Sequence, residues 1–272
     1  MKVSMKLLVV GVALMSAIFS GCNKEHNHPD PNTDGLILIG TAYTDAGSML
    51  VKLYSAASIY SQYTKLYIEV RDSASNEVVD DAHIELSPMM DMGMMMHAAP
   101  FENPSSTDAV DGLFPCAVVF IMPGDMGWTL DVHVHNHHSG AEGEANFPLV
   151  VKTPTPTRTV TVTPLNGDEP LVISYVQPTD PTVGINDFEI TLHYRETMMA
   201  FPARTNYTVS IEPEMPSMGH GSPNNVDPTH VADGHYTGQV NFTMTGLWRI
   251  NLNIMDGTEV VDSTSYFEVT LP

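Results

Sequence analysis

Trp248-Arg-Ile-Asn-Leu-Asn-Ile254 is the stretch that decides the fold of this chain. Its apolar residues stand at 248, 250, 252 and 254 with polar residues between them. Successive side chains of a strand point to opposite faces, so this period of two belongs to a half-buried β-strand. Tyr67-Ile-Glu-Val-Arg71, Ala82-His-Ile-Glu-Leu86 and Tyr266-Phe-Glu-Val-Thr-Leu271 alternate in the same way. Asp111-Gly112 and Asp233-Gly234 read as tight turns entering a strand. Beyond the N-terminal apolar run nothing has helical periodicity.

Working outward from Trp248, the surrounding motifs occur twice. His97-Ala-Ala-Pro100, Asp111-Gly-Leu-Phe114, Phe120-Ile-Met122, Gly127-Trp128 and Leu130-Asp-Val132-His-Val134 follow one another in the first half. His220-Gly-Ser-Pro223, Asp233-Gly-His-Tyr236, Phe242-Thr-Met244, Trp248 and Ile250-Asn-Leu252-Asn-Ile254 follow in the same order in the second. The two tryptophans of the chain fall at matching places. Self-similarity at this scale marks a duplicated structural unit. Short alternating strands separated by turns predict an all-β chain of two tandem immunoglobulin-like antiparallel β-sandwich domains, each with its tryptophan between the sheets. The Pro/Thr strap Lys152-Thr-Pro-Thr-Pro-Thr-Arg158 separates them, with Thr159-Val-Thr-Val-Thr163 read as the last strand of the first domain. The expected domains are residues 36–163 and 164–272.

The first 21 residues read as an address. Lys2 and Lys6 precede the apolar run Leu7 to Phe19, which is shorter than the roughly 20 residues of a membrane span and ends in Ser20-Gly21-Cys22. That pattern resembles a relaxed bacterial lipobox of the Bacteroidetes type, with Phe19 where leucine is usual. It implies cleavage before Cys22 and lipidation of that cysteine. The expected location is the Gram-negative cell envelope, at the outer membrane or cell surface, with the membrane as partner through the lipid anchor. Residues 22–35, which include His26 and His28, are polar and proline-containing, as a flexible tether would be.

A net charge of −21 with only 11 Lys and Arg excludes nucleic acid as a partner, because a phosphate backbone needs clustered cations. With Cys22 spent on lipid, Cys116 has no disulfide partner and lies in the apolar run Cys116-Ala-Val-Val-Phe-Ile121, where a thiol is a small buried hydrophobe. The chain has no Gly-x-Ser-x-Gly, phosphate loop or His-Glu-x-x-His, and its carboxylates are scattered, which points to a binding protein rather than an enzyme.

Six methionines crowd between Met89 and Met96, ahead of His97. Thioether sulfur is soft and uncharged and suits Cu(I), whereas imidazole suits Cu(II) and zinc as well. Met90, Met92, Met94, Met95, Met96 and His97 are therefore candidate metal ligands on a loop, with Met215, Met218 and His220 as the counterpart in the second half. His133 and His135, two apart on a strand, share one face and form a second candidate pair, to which His137 or His138 would add. The second half has Asn251 and Asn253 there. The competing reading is that the methionines are packing, since methionine is also a flexible apolar filler.

Taken in order, the Met/Pro loop, the Asp-Gly-x-aromatic turn, the Phe-x-Met strand and the Gly-x-Trp-x-Leu-type strand resemble the YtkA-like (FixH-like) domain, over about residues 65–151 and 187–270. The resemblance rests on Met215, Met218, His220, Asp233, Gly234, Tyr236, Met244 and Trp248, and on Met90, His97, Asp111, Gly112, Phe114, Met122 and Trp128. The first copy departs by its longer methionine run and by Pro123-Gly-Asp-Met126. The family implies an immunoglobulin-type sandwich in an exported protein, with copper handling or oxidase assembly among its associations. The resulting expectation is an envelope lipoprotein that binds copper for scavenging, sensing or delivery to a metal-receiving envelope partner. The alternative is a non-catalytic adhesion or interaction module whose methionines are apolar packing.

Overall fold

The computed structural model describes residues 30–272. The expected leader, Cys22, His26 and His28 lie outside the described residues.

The described residues form nineteen strands and no helix. In the first half, one sheet runs β1 (Ile37–Tyr43), β2 (Met49–Ser55), β3 (Tyr63–Asp72), β7 (Phe114–Val119) and β6 (Phe101–Glu102). The other runs β5 (Met96–Ala98), β4 (Ala82–Asp91), β8 (Gly124–Asn136) and β9 (Glu142–Val151). The second half repeats this order. One sheet runs β10 (Thr159–Val162), β11 (Leu171–Gln177), β12 (Gly184–Tyr194), β16 (His235–Phe242) and β15 (Val226–Ala232). The facing sheet runs β14 (His220–Gly221), β13 (Thr208–Met215), β17 (Gly246–Asp256) and β18 (Glu259–Asp262), with β19 (Tyr266–Leu271) also on β17. Pairing is antiparallel throughout these sheets. The duplication seen in the motifs is thus a duplication of strand order.

One boundary differs from expectation. Thr159–Val162 pairs with Leu171–Ser174 and is the edge of the second sandwich, not the last strand of the first. Its alternation marks it as a strand, but Val160 and Val162 pack on the second core. The division between the sandwiches therefore falls in the strap between Val151 and Thr159.

Each sandwich closes over its own core, the first around Trp128 and Phe114, the second around Trp248 and Phe188. Both indoles are fully buried and anchored alike: Trp128 Nε1 donates to the Met122 carbonyl at 3.1 Å, Trp248 Nε1 to that of Met244 at 3.0 Å. This explains the repeated spacing from Phe-x-Met to Trp, since a buried indole N–H needs an acceptor. The Asp-Gly turns hold both residues at positive φ, 53° and 78° at Asp111-Gly112 and 47° and 81° at Asp233-Gly234, as a two-residue hairpin turn demands.

A smaller apolar cluster of Ala98, Val119, Val172 and Phe201, with Tyr63, Met89 and Ile121 packed on it, joins the sandwiches. The Tyr63 amide donates to Ser174 Oγ across the junction at 2.9 Å.

Candidate functional site

The methionine run is a hairpin rather than the loop that its composition suggests. β4 carries Met89, Met90 and Asp91 to its end, and β5 pairs them with Ala98, His97 and Met96. Only residues 92–95 form the turn, closed by the Met92 amide on the Met95 carbonyl at 2.9 Å and by the Gly93 amide on Asp91 Oδ1 at 2.7 Å. On its other side Met90 pairs with Trp128 of β8. Directly opposed residues share a face, so His97, Met90 and Trp128 form a row across three strands. That row faces inward, and His97 is only 3% exposed.

The chemistry of this row follows from one hydrogen bond. His97 Nδ1 lies 2.8 Å from the carbonyl of Ala98. A carbonyl only accepts, so Nδ1 carries the proton and neutral His97 presents Nε2 as a bare lone pair. Nε2 is buried and has no hydrogen-bond partner. The ring stands edge-on to the Trp128 indole, centroids 5.5 Å apart and planes at 85°. The interior therefore holds an unpaired nitrogen acceptor beside the residue that carries the Met90 thioether, under an aromatic wall.

The second sandwich repeats the row. Met215 pairs with His220 across β13–β14, and the Glu214–Arg249 pairing leads Met215 to Trp248 in the next register position. His220 stands edge-on to Trp248 at 5.8 Å and 89°. A glycine makes room for each methionine. A Cβ on Gly127 would stand 3.4 Å from Met90 Sδ, and one on Gly246 would stand 3.1 Å from Met215 Cε.

The other candidate ligands separate from these. Met92, Met94, Met95 and Met96 are exposed, Met94 at 99%, and Met218 is exposed in the β13–β14 turn. They do not converge with Met90 or Met215 as a single soft-ligand loop would, because strand pairing turns the run inside out. His133 and His135 do share the outer face of β8, opposite buried Val132 and Val134. There His135 faces His83 and Glu142 across the strands, and His133 faces Glu85 and Glu144. His133 Nε2 binds Glu142 Oε1 at 3.1 Å, and His83 Nε2 binds Glu85 Oε1 at 3.0 Å. Among the described residues no group of three His, Cys, Asp or Glu is placed to hold a metal ion. Cys116 is buried with its thiol on the Leu66 carbonyl, and burial pushes its pKa up, which removes it as a thiolate ligand.

Fold and site together define a tandem β-sandwich protein with a repeated Met–His–Trp row. A family model described as YtkA-like matches residues 167–253, within the second sandwich. No curated protein matches the chain. Among solved structures, Yersinia pseudotuberculosis InvD aligns at 14% identity and a TM-score of 0.27, over 88% of this chain and 58% of that one. Invasin, described as a bacterial integrin-binding protein, aligns at 12% and 0.26, over 82% of this chain and 39% of its own. The D00-D0 domain of intimin aligns at 11% and 0.26, over 82% and 99%. The chain thus spans little more than half of InvD and less than half of invasin, and all three superpose only loosely.

Proposed function

We propose that this protein is a lipid-anchored, non-catalytic binding protein of the cell envelope that holds copper in the Met–His rows of its two sandwiches. The observation that carries this reading is the buried, unpartnered Nε2 of His97 beside Met90. Leaving a buried acceptor unpaired costs about 1–3 kcal/mol, which a soft cation between imidazole and thioether would offset. The recurrence of the row as Met215, His220 and Trp248 supports a selected feature over incidental packing. Met90 with His97 and Met215 with His220 would hold the ion. The donor set is uncharged, which favours Cu(I) over harder divalent cations. The exposed Met92, Met94, Met95, Met96 and Met218 would lie outside these rows, placed to meet an incoming ion or a metal-receiving envelope partner. The outer His133/His135 face would take Cu(II) or zinc only after His133 leaves Glu142.

Competition with a Cu(I) chelator tests the reading on the full chain. Met90→Leu and Met215→Leu keep bulk and remove sulfur, so each is expected to remove one tight site with less than about 1.5 kcal/mol of stability lost. Unchanged affinity in both variants would leave the methionines as packing. Cys22→Ser, which is expected to release the protein from the membrane fraction, tests the anchor separately.

A further inference from the structure

We infer that His235 is a clasp that fixes the second sandwich against β6 of the first, just beyond the β4–β5 hairpin, so that the two sandwiches move as one body. His235 opens β16 in the second unit. Its Nε2 donates to Glu102 Oε1 of β6 in the first unit at 2.7 Å, and its Nδ1 donates to Glu189 Oε1 of β12 at 2.6 Å. Two carboxylates accept from the two ring nitrogens, so both nitrogens carry protons and the ring is an imidazolium. The other oxygen of Glu102 accepts from the Tyr63 hydroxyl at 3.0 Å, and the Tyr63 ring stands edge-on to His235 at 5.4 Å. Charge-assisted bonds of this kind, partly buried, are the strong ones. Glu102 lies five residues beyond His97. Between them, the Ala98 amide donates to the Met198 carbonyl of the second unit at 2.8 Å, and Ala98 packs with Val172 and Phe201. The hairpin thus presents Met90 and His97 to its own core, and Met89 and Ala98 to its neighbour. The clasp stands on this geometry whether or not the hairpin binds copper.

The groups facing His235 define its working range. They are Glu102, Glu189, Tyr63 and the buried His193 of β12, with Cys116 behind Glu102. Burial opposes the charge on His235, but the bonds to Glu102 and Glu189 outweigh it and push the pKa up to about 9. Burial likewise opposes the Glu102 carboxylate, but His235 and Tyr63 outweigh it and hold its pKa below the ordinary value. Burial pushes His193 down to about 4, so it stays neutral beside the clasp at ordinary pH. A raised histidine pKa contributes fully below the ordinary value near 6.5 and is lost as pH rises through about 9. A lowered carboxylate pKa contributes above about 4.5 and is lost as pH falls through its folded value. The clasp is therefore shut between these limits and opens in alkali.

Electron–electron distance measurement between spin labels tests this directly, using the full chain with Cys22→Ser and labels at Ala74→Cys and Thr258→Cys, both exposed turn positions on different sandwiches. One narrow distance distribution is expected at pH 7. It should broaden in His235→Gln, in Glu102→Ala and in the wild type at pH 10, with the secondary structure retained in circular dichroism. A broad distribution in the wild type at pH 7 would overturn the clasp. So would a distribution that stays equally narrow in both variants and at pH 10.

Discussion

The two Met–His hairpins share a strand order, a tryptophan anchor and a glycine beside the methionine, yet they differ in closure. In the first sandwich His97 is sealed in, its tautomer set by the Ala98 carbonyl and its Nε2 left without a partner. In the second, His220 is half-buried on a two-residue strand and makes no such bond. The first hairpin leans on the neighbouring sandwich through Ala98 and Met198, whereas His220 has no equivalent support among the described contacts. A single scaffold thus holds one closed imidazole and one that is only half-buried. The difference accompanies a longer methionine hairpin and the contact of Ala98 with the neighbouring sandwich.

The largest effect that would break the comparison is on the shared anchor. Trp128→Ala and Trp248→Ala should each cost about 3–5 kcal/mol, measured by denaturant unfolding, because both indoles are fully buried. A loss below about 1 kcal/mol in either would mean that the rows are not equivalent. Next come the glycines. A Cβ at Gly127 would meet the Asp91 carbonyl at 2.4 Å with φ at 103°, while one at Gly246 meets only the flexible end of Met215 with φ at 118°. Both alanine variants carry backbone strain of about 1–3 kcal/mol, with Gly127→Ala the costlier because a backbone atom cannot step aside. Equal costs would show that the first hairpin has more give than its contacts imply.

His97→Phe sharpens the contrast. Removing a buried acceptor that has no partner should stabilise the metal-free chain by about 1 kcal/mol, whereas His220→Phe should change it by less than about 0.5 kcal/mol. A destabilised His97→Phe would mean that the lost Nδ1 bond to the Ala98 carbonyl outweighs the relief of the unpaired nitrogen. The smallest effects belong to the exposed methionines. Met94→Ser and Met218→Ser should shift stability by no more than about 0.5 kcal/mol, read from thermal unfolding.

The strands, the duplication and the burial of both tryptophans were legible because alternation and repeated spacing are local properties of the chain. Which sheet a strand joins is not local. Thr159–Val162 reads as a strand in either sandwich, and only its pairing with Leu171–Ser174 assigns it. The methionine run was legible as composition but not as geometry, because adjacent residues on β4 and β5 face opposite ways and the turn exposes the rest. His83 carried no signal as a neighbour of His135, since their juxtaposition depends on strand register. Glu102 and His235 are 133 residues apart and meet only because the sandwiches dock.

The most direct test of the central claim is the Cu(I) stoichiometry of the full chain under competition with a chelator, compared across wild type, Met90→Leu, Met215→Leu and the double variant. The account predicts two tight sites in the wild type, one in each single variant and none in the double variant. Two sites surviving in the double variant would contradict it.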